Sequence, residues 1–308
     1  MTKTEFIINN RYNHLINNPT SINDTLLTTI IKEIYYKNDN PYSSIVIPVF
    51  NQENIIVEHL QSIINKTKEL SYELIIIIDA CTDNTESNII NWINTLEIPY
   101  NLYSILIIKN NIPIYETACD NIGFICSRGK YIIEIQSDMK MTEDGYNIKL
   151  LHPFNLIPTL IGVSGRCGHG IMKPYGVGKL GELINEPLSH NILRNKIYIT
   201  ESCVRGPLVL DRVKLQQLGY LDETNFFLDN SDHDLFMRAY VQYGWICGYV
   251  PIEFSAPLIN GSTRKERTGI NKYIYESYQE RTKNGIGGFL NKYITLSYPY
   301  RDIVAYDI

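Results

Sequence analysis

Apolar runs and amphipathic segments alternate along the first half of the chain. Four runs are rich in β-branched residues and lack an apolar–polar alternation, which is typical of strands buried on both faces. These predicted strands are residues 44–50, 73–78, 102–108 and 131–135. Amphipathic helices are predicted between them at 53–66, 84–94 and 115–127. Strands of this kind that alternate with helices predict a mostly parallel central sheet flanked by helices.

The segments outside this pattern are less regular. Apolar residues near the N-terminus recur at helical spacing, which predicts a helical extension over residues 1–42. The second half predicts strands at 208–210 and 245–250 and helices at 211–218 and 230–243. No linker or internal repeat interrupts the sequence, so we predict one α/β domain over 43–260 and a helical C-terminal extension over 261–308.

Composition and charge exclude several classes of protein. The 308 residues are 44% hydrophobic with a formal net charge of -5, and intrinsic disorder needs the opposite combination. The acidic balance argues against a general nucleic-acid binder, which needs a basic face. No apolar run approaches the roughly 18 residues that a membrane-spanning helix needs. The six cysteines are scattered and the N-terminus lacks a signal-peptide core, which favours free buried thiols in a cytoplasmic protein.

Polar residues follow the second and fourth predicted strands at the edge where α/β proteins bind ligands. Asp79 and Asp83 follow the second strand, where they can bind a nucleoside or simply form a turn and a helix cap. Gln136, Ser137 and Asp138 follow the fourth strand. A carboxylate at that position can bind a divalent cation on a diphosphate, although a turn aspartate is the simpler interpretation.

A third group of carboxylates opens the helix predicted at 230–243. Asp229, Asp232 and Asp234 lie within six positions, and helix dipole and capping effects explain one of them. Crowded like charges raise a carboxylate pKa, which suits a general base. We therefore expect a functional role for this cluster.

The order of these motifs resembles the family 2 glycosyltransferases. SIVIPVFNQE followed by LIIIIDACTDNT is similar to their P-x-[FY]-N-x-E and D-G-S-x-D-x-T segments. ACDNIGFICSRGKYIIEIQSDM is similar to A-R-N-x-G, A-x-G-x-Y-[IV] and the D-x-D stretch. GYLDETNFFLDNSDHDLFMRAYVQYGW is similar to G-x-[FL]-D-E, E-D-x-D-[LF] and R-x-x-x-x-G-[WY]. The resemblance covers roughly residues 44–250 and implies a single, Rossmann-like domain of the glycosyltransferase-A type.

The resemblance also implies roles for individual residues. Asp232 matches the catalytic base and Asp138 matches the last carboxylate of D-x-D, which binds Mn²⁺ or Mg²⁺ on the donor diphosphate. The residues expected to bind the nucleotide-sugar are Pro48, Phe50, Glu53, Asp79, Asp83, Ser137, Gly206 and Arg264. The implied reaction is an inverting transfer of a hexosyl or N-acetylhexosaminyl group, most simply from a UDP-sugar, to a hydroxyl acceptor in glycan biosynthesis.

The sequence departs from the family pattern at several positions. Gln136 replaces the first Asp of D-x-D, Asp120 replaces the Arg of A-R-N-x-G, and Ser231 replaces the Glu of E-D. No histidine follows His233, although many members have one that completes the metal site. An alternative is that Arg264, together with Lys265 or Arg267, pairs with the donor phosphate and partly replaces the cation. His233 as a metal ligand and His169 as a donor-sugar contact are weaker hypotheses than structural roles for both.

These departures keep rival functions open. A catalytically degenerate homologue would bind nucleotide or glycan without turnover. Nucleotidyl transfer on the same kind of sheet would need a Gly-rich, basic loop after the first strand, and residues 48–53 hold Pro, Asn and Glu instead. The sugar, the acceptor and the oligomeric state are not determined by the sequence.

Overall fold

The computed structural model describes residues 28–111, 113–171, 179–181, 192–223, 226, 230–257, 261 and 301–308. Within these ranges, no helix combines the length and the apolar character required to cross a bilayer. All six cysteines are free thiols; Cys81 is half-buried and the other five are buried, as predicted.

A ten-stranded sheet forms the centre of the molecule. Its strands, in chain order, are β1 (Thr28–Tyr35), β2 (Ser43–Val49), β3 (Tyr72–Asp79), β4 (Leu102–Asn110), β5 (Tyr131–Glu134), β7 (Leu160–Ser164), β10 (Lys196–Thr200), β12 (Leu208–Asp211), β13 (Ile246–Tyr249) and β15 (Val304–Asp307). Their spatial order is β1-β4-β3-β2-β5-β12-β7-β13-β10-β15. Strands β4, β3, β2 and β5 form a contiguous parallel block.

Two small sheets and seven helices complete the described fold. The small sheets are built from β6 (Lys140–Met141) with β14 (Phe254–Ser255), and from β8 (Cys167–His169), β9 (Lys179–Gly181) and β11 (Ser202–Cys203). The helices are α1 (Ile56–Lys66), α2 (Thr85–Thr95), α3 (Tyr115–Cys126), α4 (Tyr146–Leu151), α5 (Pro153–Leu156), α6 (Arg212–Leu218) and α7 (Ser231–Tyr243). The prediction of a single α/β domain with a parallel strand block is confirmed.

The two faces of the parallel block pack against different helices. One face, which includes Ile47, Ile76 and Ile133, packs with α1 and α2 in a continuous apolar cluster. The opposite face, which includes Ile77 and Ile132, packs with α3, α6 and α7. Because every residue of β2 and β3 is buried, these strands need the uninterrupted apolar runs that the sequence provides.

Helix α3 packs directly against β2 and β3 at Gly123. A Cβ atom at this position would lie 2.2 Å from the Cγ1 of Val46 and 3.0 Å from the Cδ1 of Ile77. Any side chain at position 123 would therefore push the helix away from β2 and β3.

The predicted helical extensions are wrong where the structure describes them. Thr28–Tyr35 is a strand that pairs antiparallel with β4, and its residues 31, 33 and 35 are exposed in alternation. Val304–Asp307 is a strand that pairs antiparallel with β10. The spacing of apolar residues in 28–35 fits a helix as well as a strand, and pairing with distant β4 decides between them. The remainder of both extensions lies outside the described residues.

Candidate functional site

The candidate site lies where the carboxyl ends of β2, β3 and β5 meet, as expected for parallel strands. A loop around Gly206 crosses this edge. The Gly206 N–H donates to the Glu134 Oε2 at 2.7 Å, and the Arg205 N–H donates to the Asp232 Oδ2 at 3.2 Å. This Gly206 loop therefore connects the end of β5 to the first turn of α7.

Gly206 also packs directly on the segment that holds the predicted metal ligand. Its φ is +62°, and a Cβ atom there would lie 2.8 Å from the Cε of Met139 and 2.9 Å from the Cγ of Gln136. A residue other than glycine would be strained at this φ and would displace the side chains of Met139 and Gln136. The structure thus brings Asp232, Gly206 and the residues around Asp138 together.

Asp232 is 7% exposed at the start of α7, and both of its carboxylate oxygens accept hydrogen bonds. Oδ1 accepts from the His233 N–H at 2.8 Å, and Oδ2 accepts from Arg205. Burial alone would raise the pKa of Asp232, but the charges of His233 and Arg205 and these hydrogen bonds outweigh it and hold the pKa below its ordinary value. Asp232 is therefore ionised at neutral pH.

The expectation that crowded carboxylates raise the pKa of Asp232 is wrong. Asp234 is occupied elsewhere, since its Oδ2 accepts from the Arg238 Nε at 2.8 Å one turn along the helix. The two carboxylates have separate cationic partners, so their mutual repulsion does not dominate. Asp229 lies outside the described residues.

Asp138 follows β5 and is half-buried. No hydrogen bond from the described part of the chain reaches its carboxylate. The preceding residue is fixed through its backbone, because the His59 Nδ1 donates to the Ser137 carbonyl oxygen at 2.8 Å. Burial lowers the pKa of His59. The sequence analysis missed His59, which is a buried polar residue on the inner face of α1.

The Asp79 carboxylate, predicted to bind the nucleotide, accepts hydrogen bonds from other residues of the protein. Asp79 is 5% exposed at the end of β3, and its carboxylate accepts hydrogen bonds from the Asn110 Nδ2 at 3.0 Å and from the Ile114 and Tyr115 N–H groups at 2.9 Å. Burial raises the pKa of Asp79 despite these bonds. The carboxylate thereby fixes the first turn of α3 to the sheet.

Glu53 and Asp83 connect the loops that follow β2 and β3. The Glu53 N–H donates to the Asp83 Oδ2 at 3.1 Å, while the Glu53 Oε2 accepts from the Asn84 N–H at 3.0 Å and from its Nδ2 at 2.9 Å. Beside them, the Asn51 Oδ1 accepts from the Thr82 N–H. The Asn51 side chain therefore bonds across the loops; it does not cap α1, which begins at Ile56 without a side-chain cap.

The other predicted binding residues are placed as follows. Pro48 is buried within β2 opposite Ile77, and Phe50 is half-buried just after the strand. Arg264, with Lys265 and Arg267, lies outside the described residues. His233 bonds through its Nδ1 to the Ser202 Oγ at 2.7 Å, and its ring packs edge-on against His169 at 4.9 Å between centroids.

Beneath the Gly206 loop lies a buried charged cluster that the sequence analysis did not identify as a site. It consists of Glu116 and Asp120 on α3, Glu134 on β5 and Arg205. The Arg205 Nη1 donates to the Asp120 Oδ2 at 2.7 Å, and its Nη2 lies 3.7 Å from the Glu116 Oε2. A signal was present, because Glu134 is the one charged residue in an otherwise apolar run.

This cluster extends to Gln136, the residue that replaces the first Asp of D-x-D. The Gln136 Nε2 donates to the Glu116 Oε1 at 2.5 Å, and its Oε1 accepts from the Arg166 Nη1 at 3.0 Å. Both ends of the Gln136 amide are therefore engaged. Burial raises the pKa of Asp120 and of Glu134, and neighbouring carboxylates raise both further.

Comparison with known proteins gives a family match over part of the chain. The family model described as "Glycosyl transferase family 2" matches residues 44–157. The mannosyltransferase PcManGT from Pyrobaculum calidifontis, solved with GDP-Man and Mn²⁺, is 16% identical with a TM-score of 0.51. That match covers 71% of this chain and 58% of PcManGT. The low identity means that this similarity concerns the fold.

Two further structures are similar at lower scores. TarS 1-349 from S. aureus is 15% identical with a TM-score of 0.46, covering 68% of this chain and 58% of that one. The longer TarS structure is 15% identical with a TM-score of 0.48, covering 70% of this chain and 36% of TarS. The chain thus spans less than two thirds of the length of these structures. No curated protein sequence matches it.

Proposed function

Because residues 44–157 match the model of the family 2 glycosyltransferases, we propose that the chain transfers a hexosyl or N-acetylhexosaminyl group from a nucleotide-diphospho-sugar to a hydroxyl group in glycan biosynthesis. We propose UDP as the nucleotide and a glycan, lipid-linked or protein hydroxyl as the acceptor. The observation that carries the proposal is the Gly206 loop, which bonds Asp232 on one side and packs on residues 136–139 on the other.

Asp232 is the proposed general base. It is ionised at neutral pH, so it can take the proton of the acceptor hydroxyl as that oxygen attacks the anomeric carbon. The nucleoside diphosphate leaves from the opposite face of the sugar. One displacement of this kind inverts the anomeric configuration and needs no nucleophile from the protein.

Asp138 is the proposed ligand of Mn²⁺ or Mg²⁺. Its fit rests on a half-buried carboxylate that accepts no hydrogen bond from the described residues, together with the preference of these cations for oxygen. The cation would neutralise charge on the leaving diphosphate. PcManGT, which shares the fold, was solved with GDP-Man and Mn²⁺, and this pairing of donor and cation supports extending it to the present chain.

The nucleotide is proposed to bind along the loops after β2 and β3. Glu53 and Asp83 hold these loops together, and Pro48, Phe50 and Ser137 lie at the same edge of the sheet. Asp79 is proposed to face the base. Because its carboxylate already accepts three hydrogen bonds, its effect on the base comes mainly through the position of α3. Arg264 remains a proposed phosphate contact.

A second candidate function is donor or glycan binding without turnover. Gln136 favours it, because an amide replaces a carboxylate of the D-x-D motif and its polar atoms are engaged by Glu116 and Arg166. The two candidates differ in what Asp232 does. A base is needed only for transfer, so a binding protein tolerates its loss.

The experiment that tests the proposal uses a panel of UDP-, GDP- and dTDP-sugars with Mn²⁺ or Mg²⁺. We expect one donor to raise the melting temperature and to be hydrolysed or transferred. Asp232→Asn should lower turnover by roughly 10²–10⁴-fold while donor affinity changes little. Asp39→Asn, an exposed change of the same type, should leave both unaltered.

Other outcomes would contradict the proposal in different ways. A chain that responds to no nucleotide-sugar does not have the proposed function. A chain that binds a donor but gives no product, with Asp232→Asn indistinguishable from the wild type, is the binding protein of the second candidate. A product of retained anomeric configuration would exclude a single displacement by a base-activated hydroxyl.

A further inference from the structure

The buried cluster of Glu116, Asp120, Glu134 and Arg205 has unsatisfied acceptor atoms. One carboxylate oxygen from each of the three acids lies within 4.8 Å of the other two. Asp120 and Glu134 are both 0% exposed. Among the residues that the structure describes, none donates a hydrogen bond to the Asp120 Oδ1 or the Glu134 Oε1. Buried polar atoms in this state are rare in folded proteins, and a bound cation would satisfy both oxygens.

The charges of the cluster do not balance. Arg205 supplies one positive charge to three carboxyl groups, so the buried site would hold an excess of two negative charges with all three ionised. The guanidinium is also shared with Asp232, which Arg205 contacts through its backbone and its charge. Burying unpaired carboxylates is strongly unfavourable unless a cation or a proton compensates them.

We propose that Glu116, Asp120 and Glu134 bind a hard divalent cation of the Mg²⁺, Mn²⁺ or Ca²⁺ class. An all-carboxylate set is the donor chemistry that these ions prefer, and three oxygens at this separation fit around one ion whose remaining ligands are water. A divalent cation also balances the two excess charges. The half-buried Glu116, whose side chain is 23% exposed, provides the access from solvent.

The three proposed ligands of this site are different residues from Asp138, the proposed ligand of the donor cation. Glu134 and Asp120 come before the D-x-D segment in the chain, and Asp120 stands where the family pattern has Arg. The site holds the Gly206 loop through Glu134, so an ion there would stabilise the floor of the crevice. The proposal concerns cation binding alone and does not depend on the proposed transfer reaction.

The test is a titration of the full chain with Mn²⁺ in the absence of nucleotide. Electron paramagnetic resonance and calorimetry measure the bound Mn²⁺ and the heat of binding. We expect one Mn²⁺ to bind the wild type and the exposed control Glu97→Gln with the same Kd. Glu134→Gln and Glu116→Gln should each weaken binding at least tenfold. Wild-type binding should release protons, seen as a buffer-dependent heat, because the carboxylates must lose theirs.

Two results would overturn the proposal. Mn²⁺ binding that Asp138→Asn abolishes and Glu134→Gln leaves intact would assign the ion to Asp138. Failure of the wild type to bind Mn²⁺, together with a higher melting temperature for Glu134→Gln, would mean that a shared proton compensates the cluster. Circular dichroism of Glu116→Gln and Glu134→Gln in EDTA separates loss of the site from loss of the fold. These measurements of Mn²⁺ binding do not depend on sugar transfer, so they can be interpreted even when the transfer assay fails.

Discussion

The two faces of the parallel strand block differ in what they bury. The face against α1 and α2 holds a continuous apolar cluster of strand residues such as Ile47, Ile76 and Ile133. The face against α3 and α7 begins in the same way at Ile77 and Ile132, and then reaches Glu134 and its charged partners at the carboxyl end of β5. One face of the sheet is therefore covered by an apolar core, and the other face also carries buried charged residues.

This difference indicates where the fold can accommodate function. An apolar face depends on volume and tolerates few changes of size, but it responds little to pH or to ions. A face with buried carboxylates depends on compensation of their charge, so its stability changes with protons, with cations and with the arginines that pair with them. The candidate base Asp232 lies on this second face.

The sharpest test of the comparison is Arg205→Met. Its side chain is 5% exposed, and its removal leaves Asp120, Glu134 and Asp232 without their common cation. We expect a loss of about 3–5 kcal/mol in the free energy of unfolding at pH 8 in EDTA, measured by urea denaturation. The loss should shrink at pH 5, where the carboxylates of raised pKa take up protons.

The matched change on the apolar face is Ile76→Ala. It removes a fully buried side chain and should cost about 2–5 kcal/mol at both pH values, because no titrating group is involved. Equal behaviour of the two variants with pH would remove the distinction between the faces. A loss below about 1 kcal/mol for Arg205→Met would mean that the arginine is not what compensates the cluster.

The second test is the pH dependence of the wild type in EDTA. The folded state holds Glu134 and Asp120 at raised pKa values, so it binds more protons than the unfolded chain above pH about 4. Stability should therefore fall as pH rises from there, by at most about 1.4 kcal/mol per pH unit for each excess proton. His59, whose pKa is lowered, contributes the opposite slope below pH about 6.5.

The contribution of the cluster is isolated by subtracting the curve of Glu134→Gln. That variant keeps His59 and loses one titrating carboxylate, so the difference between the two curves should decrease toward high pH. Asp232 does not interfere, since a lowered pKa changes stability only in acid, where protonation of the folded state removes its contribution. Parallel curves for the two proteins would contradict a raised pKa at Glu134.

The smallest expected effect concerns the two loops that the carboxylates of Glu53 and Asp83 join. Glu53→Ala removes the bonds from Asn84, and Asp83→Ala removes those from the Glu53 and Thr85 N–H groups. Each should lower the free energy of unfolding by about 1 kcal/mol, with a coupling of about 0.5 kcal/mol in the double variant. Glu97→Ala, which is exposed, should change it by less than about 0.5 kcal/mol.

If the loops bind a nucleotide-sugar, the same variants should weaken donor binding by a larger factor than they weaken stability. A stability loss with an unchanged donor Kd would mean that Glu53 and Asp83 hold a surface turn and nothing more. Additive losses in the double variant would show that the two carboxylates act independently.

The sequence was sufficient for the parallel block because its strands are buried on both faces. The uninterrupted run Leu74–Ile78 within β3 has no polar residue to permit another assignment, and the bounds predicted for the strands agree with the structure within about two residues. At the edges this signal is absent. Ile30 and Ile34 satisfy a helical repeat, yet Ile34 pairs with Ile105 in an antiparallel edge strand that sequence spacing does not reveal.

The candidate site could be predicted only where a polar residue ends a strand or begins a helix. Asp138 and Asp232 were predicted in this way, and the structure brings their segments together through Gly206. The pKa direction of Asp232 was wrong because it depends on Arg205, which is 27 positions away in the chain. Glu134 was missed because a single charge in an apolar run gives no indication of the carboxylates on α3 that face it.

Gly123 affects the distances between the buried acids although it carries no charge itself. The glycine fixes how far α3 stands from β2 and β3, and Glu116 and Asp120 lie on the preceding turns of that helix. Replacing it with alanine would move both acids outward relative to Glu134 although no charged residue is substituted. An apolar contact between a helix and the sheet thus sets the spacing of the acids within the cluster. That spacing in turn determines any preference for one ion radius over another.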